Sequence, residues 1–202
     1  MTEATFASAA TAFARLVHDI PEATWDGPGL GEWDLRSLVG HASRSLITVS
    51  TYLQTTPGQE DLSDPVEYNA YVAQYASNAG TEAIAERGRQ AGRELGTDPG
   101  ATVDGLVAKA LDDVAAVEDP LIAVIGGLGI RLSSYLPTRV FELAVHGLDI
   151  ARAAGVDFTL PAEVLLDATV LAARIGVALG QGETVLTALT GRDTLPAAFS
   201  VV

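Results

Sequence analysis

Residues 139–153 read RVFELAVHGLDIARA, and the way this stretch alternates decides the fold class. The apolar residues recur with helical spacing and cover most of the circumference. Arg139, Glu142, His146 and Asp149 interrupt them at intervals of three, four and three. At about 100° per residue, with Glu142 set at zero, Asp149 falls at about −20°, His146 at about +40° and Arg139 at about +60°. Val140, Phe141, Ala144, Val145, Gly147, Leu148 and Ala151 take the remaining arc. A surface helix shows the reverse proportion, with a limited apolar stripe and a broad polar face. The spacing therefore predicts a helix set into a bundle, with its ionisable strip turned to an enclosed polar space.

A second helix has the same character. Asp34 stands where an N-cap belongs, and a helix is expected from Leu35 to about Gln54. Ser37, His41, Arg44, Ser45 and Thr48 share one side of it. Leu38, Val39, Ala42, Leu46, Ile47 and Val49 fill the rest. The economical packing turns the two strips toward each other across a polar cavity in the bundle interior.

Glu142 and His146, at i and i+4, project from one face about one turn apart. A carboxylate oxygen and an imidazole nitrogen so placed reach one ion at roughly 2.0–2.2 Å each, and His41 from the facing helix supplies a third ligand. Three protein ligands leave a coordination position open, the arrangement of catalytic metal sites. Two imidazoles and one carboxylate suit zinc, and other divalent ions accept the same set. Arg139 and Asp149 are candidates for groups behind the ligands or facing a substrate. Arg44 has the same standing, with a salt-bridge role as its alternative, and Asp149 reads equally well as a structural partner of His146 or of a helix end. Spacing leaves blander readings open: Glu–His pairs of this kind also occur as solvated neighbours, and buried histidines also occur with ordinary hydrogen-bond partners. His18, the third of three histidines, lies near a helix C-terminus and reads as a dipole partner. Trp33 reads as an anchor for the loop preceding the cap.

Helical periodicity dominates the rest of the chain. Glu3 to about Asp19 places Phe6, Ala9, Ala10, Phe13, Leu16 and Val17 on one face, and Pro21 stops that helix near Ile20. A third helical region is expected over Val66–Leu95, with a break around Asn78–Gly80, and a fourth over Thr102–Val117. The segment DPLIAVIGGLGIRL, residues 119–132, is the exception: β-branched residues around a Gly-Gly pair suit a short extended or hairpin segment. Ser133 or Ser134 is expected to cap the Arg139 helix, with Pro137 in its first turn and Gly155 at its far end. Pro161 opens a further helix to about Leu179, and a short one follows near Thr184–Leu189. The sum is an all-α four-helix bundle with extra short helices and a small extended segment, a single domain over residues 1–202.

The bulk composition narrows the partners. The net charge of −14, from 26 acidic against 12 basic residues, repels phosphate backbones and anionic lipids, so nucleic acid and membrane partners are not expected. No apolar run approaches the roughly 18 residues of a membrane helix, and the first residues lack a secretory pattern, so the expected location is the cytoplasm. With no cysteine in the chain, any metal is held by histidine and carboxylate, and any thiol chemistry needs an external thiol.

Three segments carry a family resemblance. GEWDLRSLVGHASRSL, residues 31–46, resembles the Trp-x-x-x-x-Leu-x-x-His opening of the mycothiol-dependent maleylpyruvate isomerase family, within the wider DinB-like superfamily. YLPTRVFELAVHGLDIARAAG, residues 135–155, is similar to that family's Arg-x-x-Glu-x-x-x-His-x-x-Asp segment, and LTGRDTLPAAF, residues 189–199, to the end of its conserved region. The resemblance implies a DinB-like four-helix bundle with a divalent metal, usually zinc, on His41, Glu142 and His146. It also implies mycothiol, the low-molecular-weight thiol of actinobacteria, as cosubstrate. A metal holds such a thiol as thiolate at neutral pH. The thiolate adds to an electrophilic carbon of a small molecule. In an isomerase the adduct rotates and eliminates the thiol; in an S-transferase it is retained. Full-length isomerases of the family carry a further C-terminal domain that helps shape the active site, and this sequence stops about where it would begin, which leaves the substrate open. Two other classes stand beside this one: a non-catalytic metal- or ligand-binding bundle, and a metal-assisted hydrolase with water in the open position.

Overall fold

A computed structural model of the chain describes residues 2–201. The described residues form eight α-helices and one two-stranded sheet. They are α1 (Thr2–Asp19), α2 (Leu35–Tyr52), α3 (Pro65–Ala79), α4 (Thr81–Glu94), α5 (Pro99–Ala115), β1 (Leu121–Ala123), β2 (Gly129–Arg131), α6 (Leu132–Ala154), α7 (Ala162–Ala178) and α8 (Gly182–Leu189). This is the all-α bundle expected, with its extra short helices.

The bundle proper is a ring in which α1 and α2 each pack against both α5 and α6. The stripe Phe6, Ala9, Ala10, Phe13, Leu16 and Val17 on α1 is buried throughout, facing Leu38, Leu46, Val103, Ala110, Val140 and Ala144 in one continuous core. Outside the ring, α4 lies along α2, α3 bridges α4 to α6 and α7, and α7 covers α6 and α1. Where α4 meets α2 the backbones touch: a Cβ on Gly40 would stand 2.2 Å from the Gly92 nitrogen. Only paired glycines allow that approach.

Aspartate caps start three helices. Asp34 Oδ1 accepts from the Ser37 N–H at 2.7 Å, Asp64 from Val66 at 2.7 Å and Asp98 from Ala101 at 3.0 Å. Pro65 and Pro99 follow two of these caps at the first helical position, where a missing N–H costs nothing. The Asp98–Pro99 pair starts α5 at Pro99, three residues before the expected Thr102. The break between α3 and α4 falls at Gly80, with φ of 82°. The 119–132 segment is indeed a hairpin, with Leu121 paired to Arg131 and Ala123 to Gly129.

The start of α6 departs from expectation. It begins at Leu132, so neither Ser133 nor Ser134 caps it. Asp119 does so from outside, its carboxylate accepting from the Ser133 N–H at 2.8 Å and from the Ser133 hydroxyl at 2.9 Å. Pro137 consequently lies in the second turn, inside the helix, where it removes one helical hydrogen bond. Gly155 closes the helix in the left-handed conformation, φ 69°, as expected.

Candidate metal centre

The two ionisable strips face each other where α2 crosses α6. His41 on α2 and Glu142 and His146 on α6 each offer a ligand atom, and these atoms lie within 4.8 Å of one another. The imidazoles of His41 and His146 meet edge to face, ring centroids 5.0 Å apart and planes at 84°. His146 Nε2 is 3.4 Å from Glu142 Oε2, so this nitrogen and this oxygen point at the same space. Ligands of one tetrahedral ion stand about 3.3–3.6 Å apart, so side-chain rotation is enough to gather the set.

The cavity beside these groups holds about 440 Å³ and lies between the α2–α6 pair and the α3–α4 pair. It is an open-mouthed groove outside the four-helix ring, not a chamber in the ring's interior as the strip pattern suggested. The reason is the glycine contact of α4 on α2, which gives the polar side of α2 an outer partner of its own. Arg44, Ser45 and Thr48 continue the wall from His41, as the α2 stripe foretold, while Ser37 is buried away from the cavity.

Electrostatics prepare the three groups differently. Burial and the neighbouring His146 lower the His41 pKa to about 4, leaving its lone pair free at neutral pH. Burial also works against charge on Glu142, but His146 and Arg139 outweigh it and hold the carboxyl well below the usual range. His146 is the reverse: burial opposes its proton, yet Asp149 and Glu142 hold its pKa up at about 9. Its Nδ1 is buried, 3.5 Å from Asp149 Oδ2, and has no hydrogen-bond partner. That is the position from which a carboxylate orients a metal-ligating imidazole, one small rotation from contact. A half-buried carboxylate, a neutral imidazole and a second imidazole with an orphaned nitrogen on its far side fit a divalent cation in their chemistry.

The remaining candidates separate. Arg139 lines the cavity: its Nε donates to Thr138 Oγ1 at 3.0 Å, and its guanidinium lies 4.8 Å from the ring centroid of Tyr135 and 5.3 Å from that of Tyr68. Arg44 also lines the cavity and forms none of the described ion pairs. Asp149 lies behind His146, where it also meets Arg152 at 3.3 Å. His18 stands apart, paired with Asp104 of α5 at 2.9 Å.

Several wall residues carried no readable sign of a site. Tyr68, Val72, Tyr75 and Ala76 form one face of α3, a spacing that reads as ordinary core, and Arg87 sits in a charged run on α4. Trp33 does anchor its loop, donating from Nε1 to the Ala85 carbonyl of α4 at 3.0 Å. It also covers the His41 ring, which its position next to the cap did not announce.

A family model, the mycothiol maleylpyruvate isomerase N-terminal domain, matches residues 6–151 of the 202. That span runs from α1 through most of α6 and includes His41, Glu142 and His146. No curated protein and no solved structure matches the chain.

Proposed function

Since the chain belongs to the mycothiol maleylpyruvate isomerase N-terminal domain family, we propose that it is a zinc-dependent enzyme using mycothiol as its nucleophile, an isomerase or thiol S-transferase acting on a small electrophile. In this reading residues 1–202 act as one domain, in the cytoplasm; among the described residues no helix is long and apolar enough to cross a membrane. The observation that carries the proposal is the convergence of His41, Glu142 and His146 on one wall of a cavity large enough for small reactants.

The residues divide the work. His41, Glu142 and His146 would hold the ion, and three protein ligands leave room for an exogenous one. The bound ion supplies the lowering of a thiol pKa that makes thiolate at neutral pH. His41 presents its lone pair without losing a proton first, because it is already neutral. Asp149, whose Oδ2 lies 3.5 Å from His146 Nδ1, would fix the tautomer and orientation of that ring from behind after the small rotation that joins them. Val72, Ile84, Ile125, Phe141 and Val145 line the same cavity and reduce the water around the reacting groups. Arg139, stacked between two tyrosines with no carboxylate bonded to it, keeps a fixed positive charge near Glu142.

Cobalt substitution tests the thiol step. Mycothiol added to the cobalt-loaded protein should produce an intense sulfur charge-transfer band, absent in His41→Ala. A spectrum unchanged by thiol would favour water in the open position, and hence hydrolysis or a binding-only role.

A further inference from the structure

Helix α7 is apolar on two opposite sides. Val164, Ala168, Leu171 and Ile175 recur at intervals of four, three and four and are buried against the bundle. Leu166, Val170, Ala173 and Val177 recur at the same intervals, about 200° further round the helix. Leu166 is 62% exposed, Val170 49% and Val177 64%. A helix that is apolar all round ordinarily has neighbours on every side. Among the described residues nothing covers this second side of α7.

The bare stripe belongs to a larger patch. Helix α8 packs on α7, with Val185 against Gly176, and adds the exposed Leu186 and Leu189. A cavity of about 170 Å³ opens between them, with Ala173, Val185, Leu189, Leu195 and Phe199 in its walls. Side chains exposed to this degree show roughly 80–100 Å² each, so Leu166, Val170, Val177, Leu186, Leu189 and Leu195 together offer about 500 Å². That is at the upper end of what a monomer leaves in water. It also matches the apolar share of a standard interface, which buries about 800 Å² per partner and is roughly 65% apolar in homodimers.

Charge decides which partner fits. The chain carries −14, yet α7 and α8 hold only Glu163, Asp167, Arg174 and Glu183, and none of these lies in the stripe. Two copies of so acidic a chain repel each other, and close approach needs a face nearly free of charge. Asp167 and Arg174 sit on one shoulder of the stripe, two turns apart, on either side of Val170. Arg174 meets Asp64 at 2.5 Å with half its side chain still exposed, and its fork has donors to spare. Asp167 forms none of the described ion pairs. A two-fold axis crossing α7 between them sets Asp167 of each copy opposite Arg174 of the other, so the face is complementary to itself.

We propose that the α7–α8 face is the interface of a homodimer, in which the α7 helices of two copies of this chain lie antiparallel. Leu166, Val170, Ala173 and Val177 form its apolar seam, and two Asp167–Arg174 pairs flank the seam and fix its register. The dimer uses none of the residues of the function proposed above and does not depend on the metal.

Sedimentation equilibrium of the full chain tests it. Wild type should run at twice the chain mass of 20.9 kDa. Leu166→Glu and Val177→Glu, both at exposed positions, should each raise the dissociation constant about thirtyfold or more. Val117→Glu, at an exposed valine just beyond α5, should leave it unchanged. Asp167→Arg and Arg174→Asp should each dissociate alone, because like charges then meet across the axis. An equal mixture of the two should dimerise again, because both shoulder pairs are then opposite in charge. Circular dichroism checks that each variant is folded. A wild type still monomeric at about 100 μM would leave the face to a different protein and overturn the proposal. So would a dimer unchanged in folded Leu166→Glu and Val177→Glu, or a mixture that associates no better than its components.

Discussion

The indole of Trp33 lies over the imidazole of His41, with ring centroids 4.5 Å apart and planes inclined at 32°. The same indole is tied to α4 by its bond to the Ala85 carbonyl. One side chain thus links a candidate metal ligand to the helix forming the opposite wall of the cavity.

Trp33 is one of two tryptophans, so its emission is separable by substitution. Adding zinc to metal-free protein should change the tryptophan fluorescence, and Trp33→Phe should remove most of that response while Trp25 emission persists. A response of full size in Trp33→Phe would place the metal away from His41.

Asp149→Asn should weaken metal binding by roughly 10–100-fold, the usual effect of losing a carboxylate behind a ligating histidine. Helix content should be unchanged, because Asp149 is partly exposed and supports no cap. Competition titration against a chromophoric chelator reads the affinity. Wild-type affinity in Asp149→Asn would mean that the carboxylate does not orient His146.

Metal uptake should depend on pH through His146. Its pKa of about 9 means that the metal-free protein carries that proton at neutral pH, held by Asp149 and Glu142 on its own helix against the burial that opposes it. From α2, His41 is neutral and Arg44 is positive, and neither holds the proton in place. Zinc must displace the proton, so apparent affinity should rise about tenfold per pH unit between pH 7 and 8.5. Calorimetry in buffers of different ionisation enthalpy should detect close to one proton released at pH 7. The sign reverses for stability of the metal-free fold. A histidine held above its ordinary 6.5 stabilises fully below that value and loses the contribution as pH rises through about 9. The metal-free melting temperature should therefore fall between pH 7 and 9. Uptake that is flat with pH would contradict the assignment of His146.

Gly40→Ala should destabilise the protein by about 1–3 kcal/mol, because its methyl group meets the α4 backbone rather than a movable side chain. For a chain of this size that is a melting temperature lower by roughly 3–10 °C. A variant as stable as wild type would show that α4 does not sit on α2 this closely.

The ring of helices was readable because its evidence is periodic: the α1 stripe from Phe6 to Val17 and the polar strips on α2 and α6 each repeat with the turn of a helix. His41, Glu142 and His146 stood out because ionisable groups interrupted apolar faces. Arg87 and the α3 tyrosines did not, since a lone arginine among the charges of α4 and aromatics at core spacing look the same whether or not they line a cavity. The place of the cavity was hidden for a related reason. It depends on Gly40 meeting Gly92, a contact between residues 52 positions apart with no side chains to signal it. Pro137 misled at the start of α6 because the cap came from Asp119, across the hairpin and not from the adjoining serines.

In the proposed site, side chains from two helices share one divalent ion. Elemental analysis of freshly purified protein, wild type beside His41→Ala and Glu142→Gln, tests it most directly. Wild type should carry about one equivalent of zinc, and either folded variant little or none. Zinc retained at the wild-type level when His41 or Glu142 is replaced would contradict it.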